Sequence, residues 1–243
     1  MIRVENLTKR FERLTAVDDL TLEVAGGEMF AFLGPNGAGK TTTIKLLAGL
    51  LRPTAGRALI GGYDIQRQAL EAKRLIGYIP DHPYLYEKLS GRDFFRFIGD
   101  LFQVAPARQG EKLEQYFSLF GLMEAADDLI ENYSHGMRQK LVFSVALMHD
   151  PKALIVDEPM VGLDPKSTRI VKTLLKERAR QGAAVFLSTH ALSVAEELAD
   201  RIGIIHMGRL LFLGNLEQLR RKAAIDGSLE DLFLQLTESG FAP

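Results

Sequence analysis

Cysteine is absent from all 243 residues, which removes disulfides and thiolate metal sites and fits a reducing compartment. Charge of one sign is missing too. Thirty basic and 31 acidic residues leave a net charge of −1, so no overall field recruits nucleic acid or an anionic membrane surface. The local basic clusters, Lys73-Arg74 and Arg220-Arg221-Lys222, read as solvated helix faces. Long apolar runs are lacking as well: a stretch such as Met29-Phe30-Ala31-Phe32-Leu33 falls far short of the ~20 residues that a membrane-spanning helix needs. No export leader is expected, because Met1-Ile2-Arg3-Val4-Glu5 runs directly into an alternating strand pattern.

What is present suits a globular chain. Hydrophobic residues make up 47% and charged residues 25%, a balance that excludes disorder, and the length fits one large domain or one domain with an insertion. Ile2, Val4, Leu20, Leu22 and Val24 have strand character, with a turn at Ala25-Gly26-Gly27-Glu28. Met29 to Leu33 reads as a strand buried on both faces. Gly34 to Gly39 follows it, and Ile44, Leu47, Ala48 and Leu51 then mark one face of a helix. Further strands are expected at Leu75–Ile79, Ala153–Val156 and Ala184–Leu187, with helices at Met137–Met148 and about Leu192–Ala199. A hairpin is expected from Ile202–His206 and Leu210–Leu213. Alternating β and α segments predict an α/β fold whose sheet is mostly parallel, preceded by an N-terminal antiparallel β segment. Tyr84 to His149 has no strand pattern and reads as an inserted helical subdomain. The expected division is one main domain over 1–215, with core 1–84 and 150–215 and helical subdomain 85–149, followed by a helical tail over 216–243. Ser228 and Asp231 predict a capping box at the start of the last helix.

The motif with the clearest chemistry is Gly34-Pro35-Asn36-Gly37-Ala38-Gly39-Lys40-Thr41, a full Walker A pattern between a buried strand and an amphipathic helix. Glycines permit the positive φ angles that turn backbone N–H groups inward to cradle phosphate oxygens. The helix N-terminus adds partial positive charge. Lys40 is placed to bridge the β- and γ-phosphates of ATP, Thr41 to ligate Mg²⁺, and Thr42 to touch the α-phosphate. Downstream, Leu154-Ile155-Val156 delivers Asp157 and Glu158 at the carboxyl end of a strand, where ligands bind in such sheets. Asp157 fits the Mg²⁺-holding role, and Glu158 fits the general base for the attacking water.

With these in place the chain resembles the ABC ATPase family along nearly its whole length. Tyr133-Ser134-His135-Gly136-Met137 stands where that family carries its LSGGQ signature, Val161-Gly162-Leu163-Asp164 resembles its D-loop, and Ser188-Thr189-His190 its H-loop with His190 as switch histidine. The resemblance further implies that Phe11 stacks on adenine and that Ser134 and Gly136 contact the γ-phosphate held by an opposing subunit. Two positions depart from the family. His135 and Met137 replace the signature's glycine and glutamine, and Asp81 of Tyr78-Ile79-Pro80-Asp81 replaces the Q-loop glutamine. Asp81 keeps an oxygen that can reach Mg²⁺ but is shorter and adds charge, so altered Mg²⁺ coupling is expected. The remaining histidines have no metal-ligand spacing, and no metal beyond Mg²⁺ is assigned.

Each chain has one Walker A and one signature, so the resemblance implies a dimer with itself or a similar subunit. It also implies an integral membrane transporter subunit that docks near Asp81–Leu89, with Tyr84, Leu85 and Tyr86 as either anchors or core. The expected location is the cytoplasmic face of the cell membrane. The tail Leu229-Glu230-Asp231-Leu232-Phe233 resembles subunits of bacterial exporters. A soluble ATPase acting on nucleic acid or ribosomes is the other reading, although coiled-coil, zinc and tandem-domain features are absent.

Overall fold

The computed structural model describes residues 1–223 and 229–238. The elements run β1 (Ile2–Phe11), β2 (Leu14–Val24), β3 (Met29–Leu33), α1 (Lys40–Leu47), β4 (Ala55–Ile60), β5 (Tyr63–Asp64), α2 (Ala69–Arg74) and β6 (Ile76–Ile79). Then come α3 (Gly91–Leu101), α4 (Pro106–Phe120), a 3₁₀ turn at Ile130–Asn132, and α5 (His135–Leu147). The chain continues through β7 (Ala153–Asp157), α6 (Pro165–Arg180), β8 (Ala184–Thr189), α7 (Leu192–Leu198), β9 (Arg201–His206) and β10 (Arg209–Gly214), to α8 (Leu216–Ala223) and α9 (Leu229–Glu238). Asp231 lies in α9, whereas Ser228, its expected capping partner, falls outside the described residues.

Two sheets result. One is antiparallel, in the order β2-β1-β4-β5; the other has the order β10-β9-β3-β8-β7-β6 and is parallel except at the β9–β10 hairpin. Strand β3 sits inside the second sheet, and its period-2 alternation sorts its side chains to opposite sides. Phe30 and Phe32 face a cluster with Val4, Leu20, Leu22 and Ile44, where both rings pack against Phe186 at 5.3 and 5.2 Å between centroids. Ala31 and Leu33 face Ala195, Leu219, Leu229 and Leu232, so the C-terminal helices cover the other side.

Helix α1 is shorter than its apolar pattern predicts. Gly49 takes φ +68 and ends it, which leaves Leu51 beyond the helix. Helices α3 to α5 pack Phe94, Phe95, Tyr116, Phe117, Phe120 and Phe143 into one cluster that continues into Leu154 and Val156 of β7. Ser90 caps α3 by accepting from Asp93 N, and Ser134 caps α5 by accepting from Met137 N.

Two polar contacts tie this helical layer to its neighbours, one to the sheet and one to α6. His149 donates Nε2–H to Ile76 O at 3.0 Å and stacks on Phe102 at 3.8 Å, leaving Nδ1 without a partner. Asp150 accepts from Arg108 and from Lys112 at 2.8 Å, both on α4, and from Arg178 on α6 at 2.8 Å. Gly77 marks a close approach, since a Cβ there would lie 2.6 Å from Ala146 O.

Candidate active site

The phosphate loop is built by close backbone approach. Gly39 takes φ +110, and a Cβ there would lie 2.3 Å from Ala16 O. A Cβ on Gly34 would meet Ile205 O at 2.4 Å. Only glycine satisfies either position. Lys40, the first residue of α1, is 7% exposed, and its ammonium donates to Gly34 O at 2.7 Å and Pro35 O at 3.1 Å. Burial lowers its pKa, opposed by the carboxylates of Glu158 and Asp157.

Those carboxylates come from the end of β7. Asp157 is 2% exposed and accepts from Ser188 Oγ at 2.7 Å, with the Thr41 hydroxyl near enough to favour its charged form. Burial raises its pKa, the two hydroxyls oppose this, and Asp81 and Glu158 add to the rise. Glu158 takes φ +47, with its N–H bonded to Ser188 O at 3.0 Å, so the chain turns sharply and its side chain leaves the strand direction. Its Oε1 lies 2.8 Å from His190 Nδ1, and Oε2 accepts from Thr189 Oγ1 at 3.3 Å. Tyr78, on β6, is pushed up to about 12 by burial together with the nearby charges of Asp157 and Asp81.

One concavity of about 460 Å³ gathers most of the expected residues. Phe11, Asn36, Gly37, Gly39, Lys40, Thr41, Thr42, Asp81, Glu158 and His190 line it. Phe11 stands at its rim, 42% exposed, with Lys9 Nζ 4.8 Å above its ring. Asp157 lies behind this surface; Gly34, Pro35 and Ala38 belong to the loop that backs it. Ser134 and Gly136 are not among the lining residues, while their neighbour His135 is. Asp81 pairs with the His82 imidazole next to it. A larger concavity of about 740 Å³ lies on the antiparallel sheet among Arg52, Arg57, Arg67, Glu5 and Asp64, remote from this chemistry.

Sequence reasoning placed Ser188 and Thr189 only within the H-loop motif, yet both support the carboxylates from the neighbouring strand, brought there by the pairing of β8 with β7. Leu14, Ala16 and His82 also line the concavity and carry no motif signal, and Val161 of the D-loop joins them. Among the described residues there is no cluster of three or more His, Cys, Asp or Glu side chains suited to holding a metal on their own. No helix among them is long and apolar enough to cross a membrane.

A strand–glycine-loop–helix cradle, with paired carboxylates at the end of another parallel strand of the same sheet, one strand removed, defines a P-loop nucleotide-binding domain. The chain's residues 17–161 match the family model described as ABC transporter. It is 39% identical over 218 residues to the uncharacterized ABC transporter ATP-binding protein YhcH of Bacillus subtilis (strain 168), covering 89% of this chain and 70% of that one. It is 35% identical over 240 residues to the linearmycin resistance ATP-binding protein LnrL of the same organism, covering 99% and 76%. Among solved structures, an ATP-binding subunit of an ABC transporter superposes with a TM-score of 0.93 at 33% identity, covering 97% of this chain and 99% of that one. The chain belongs to the ABC transporter family. It is an ATP-binding subunit and an ATP hydrolase of the ABC type.

Proposed function

We propose that this chain is the ATP-driven half of an exporter and works as a dimer beneath a separate integral membrane subunit, on the cytoplasmic face of the cell membrane. The observation that carries the catalytic part is the meeting of Lys40, Glu158 and His190 around one concavity that opens past Phe11. In this reading adenine stacks on Phe11 and the loop N–H groups of 36–41 hold the phosphates. Lys40 leaves its carbonyl partners for the β- and γ-phosphates. Thr42 adds a contact to the α-phosphate. Glu158 takes the proton of the attacking water, while His190 and Thr189 fix the carboxylate's orientation.

The donor set around Asp157 fits Mg²⁺, a hard cation that takes oxygen ligands: the Thr41 hydroxyl is close enough to lower the carboxylate's pKa, and Asp81 close enough to raise it. When bound there, Mg²⁺ neutralises charge on the phosphate oxygens.

Ser134 and Gly136 lie outside the chain's own concavity, which supports their service to a second copy or a similar subunit. ATP then favours the closed dimer, and hydrolysis removes the γ-phosphate that Ser134 and Gly136 hold. Tyr84 is 88% exposed and Tyr86 59%, beside Asp81, and Tyr86 packs edge-on against Phe94 at 5.9 Å. These rings form an apolar face suited to a short helix of a membrane subunit. Leu85, by contrast, packs into the helical layer's cluster and is not an exposed anchor. A relative named for linearmycin resistance supports export as the direction.

Purification of tagged chain from its host's membranes in mild detergent tests the assignment. A stoichiometric polytopic membrane protein is the expected companion. Recovery only from the soluble fraction with ribosomes or nucleic acid would refute transport and leave the ATPase standing.

A further inference from the structure

The concavity of about 740 Å³ on the antiparallel sheet is larger than the one that gathers the catalytic residues, and no motif accounts for it. Its floor is shaped by backbone. Strand β1 slips register against β4 between Glu5 and Thr8, Asn6 takes φ +48, and a Cβ on Gly56 would lie 2.2 Å from Asn6 O. One wall is the 64–67 turn. Asp64 is 9% exposed, and its Oδ1 accepts from the N–H of Gln66 at 2.8 Å and of Arg67 at 3.2 Å. Gln66 donates Nε2–H to Leu51 O at 3.2 Å, which ties the turn to the segment that leaves α1. Lys9 Nζ donates to Arg52 O at 2.9 Å, so the backbone at Arg52 is held as well.

The carboxylates of this concavity are already engaged inside the fold: Glu5 accepts from Arg57 at 2.6 Å, and Asp64 serves its two backbone partners. Arg52 and Arg67 are exposed, and neither forms an ion pair among the described residues. Two guanidiniums thus stand on braced backbone with open donors, in the paired N–H geometry that matches phosphate oxygens. Exposed apolar side chains flank them, Leu50 at 56% and Leu70 at 73%. Leu70 lies on α2, three residues after Arg67. A Cβ on Gly49 would lie 2.9 Å from Ile65 Cγ1 and 3.1 Å from Lys73 Cε, so the end of α1 sits against α2. Lys73 adds another exposed cation there, and Glu71 is the one carboxylate that α2 carries.

We propose that this face binds the phosphate-bearing headgroups of anionic phospholipids, with Arg52 and Arg67 taking the phosphates and Leu50 and Leu70 entering the bilayer interface. Cations flanked by leucines suit a surface that lies on a membrane, because charge attracts the anionic leaflet and apolar side chains add burial. A soluble phosphate would meet the same guanidiniums but leave the leucines in water. With a net charge of −1 the chain has no overall attraction to the leaflet, so a local patch turns one face toward it. The contact requires no membrane subunit and stands independently of the transport reading.

Cosedimentation of the full chain with vesicles tests this. Vesicles of equal parts phosphatidylglycerol and phosphatidylcholine should carry the wild type down at low salt, and about 1 M salt should release it. Vesicles of phosphatidylcholine alone should not bind it. Arg52→Ala/Arg67→Ala should lower the partition coefficient roughly tenfold or more, with ATP turnover within about twofold of wild type. Arg52→Lys/Arg67→Lys keeps the charge and should restore binding, which a general weakening of the fold would not allow. Arg220→Ala/Arg221→Ala removes a basic pair on α8 and should leave binding unchanged. The proposal is overturned if the wild type does not bind, if the alanine pair binds undiminished, if the lysine pair restores nothing, or if the α8 pair loses as much. Calorimetric binding of inorganic phosphate that Arg52→Ala/Arg67→Ala abolishes, without any vesicle binding, would assign the face to a soluble anion and overturn it too.

Discussion

Asp150→Asn probes how the helical layer is held against α6. Asp150 sits at φ +50, a conformation Asn tolerates, so the backbone is kept and the charge alone is removed. The carboxylate accepts from Arg108, Lys112 and Arg178, whose side chains are 57%, 16% and 13% exposed. Burial alone would raise its pKa, but the hydrogen bonds from Lys112, Arg108 and Arg178 hold it well below the usual carboxylate range. In the variant these cations face an amide that offers one acceptor oxygen and two donors of its own. Removing one partner of a fully buried pair costs about 3–5 kcal/mol, and a surface pair contributes about 0–1. Asp150 keeps 28% of its side-chain surface exposed, which places the loss between these limits, about 2 kcal/mol. For a chain of this size that lowers Tm by roughly 4–8 °C. Thermal unfolding followed by circular dichroism at pH 7 measures it. The pH dependence has a fixed sign. A depressed carboxylate pKa stabilises above the unfolded-state value of about 4 and loses that contribution as pH falls through the folded value, so the gap between the two proteins should close in acid. Equal melting temperatures at pH 7, or a gap that widens below pH 4, would refute the reasoning.

Glu158→Gln should bind ATP with near-normal affinity while hydrolysis falls by ~10²–10⁴-fold, as measured by phosphate release; wild-type turnover would remove Glu158 as base. Phe11→Ala should weaken nucleotide binding by about 1–3 kcal/mol in a fluorescence titration, and an unchanged Kd would leave Phe11 as a rim residue only. Asp81→Gln should alter the Mg²⁺ concentration needed for half-maximal turnover; identical Mg²⁺ curves would exclude Asp81 from the metal's surroundings. Burial pulls the His149 imidazole down to about 4, so the unfolded chain binds the extra proton first and stability falls as pH drops from about 6.5 toward 4, by up to about 3 kcal/mol. His149→Gln should lack that component of the urea-unfolding profile, and a profile parallel to wild type would sink the assignment.

The parts of this molecule legible in the sequence are those whose chemistry is local. The phosphate loop is readable because close approach of the backbone at Gly34 and Gly39 allows no other residue. Strand β7 is readable because burial on both faces demands a continuous apolar run ending in its acids. Strands β4 and β5 and helix α2 carried no such signal: β4 is exposed over Ala55 to Arg57, and α2 buries only Ala72. The overlong α1 reflects apolar residues that continue past Gly49 without belonging to the helix. Neither the strand order, which puts β3 between β8 and β9, nor the support of Asp157 by Ser188 can be read locally, since each joins segments far apart in the chain.

The anchoring of α5 has a mechanical meaning. Its C-terminal end is gripped where Gly77 lets Ala146 come close and where His149 and Asp150 bond to strand and helices, while Ser134 and Gly136 stand at its other end. Thirteen helical residues make a rod about 20 Å long, so a tilt of about 10° about the gripped end sweeps the tip by about 3 Å. That sweep is the length of one hydrogen bond. In the proposed dimer, a few degrees at the fulcrum would decide whether the tip engages a phosphate, and substitutions at Gly77 or His149 would be felt as misalignment some 20 Å away, well beyond the reach of their own contacts.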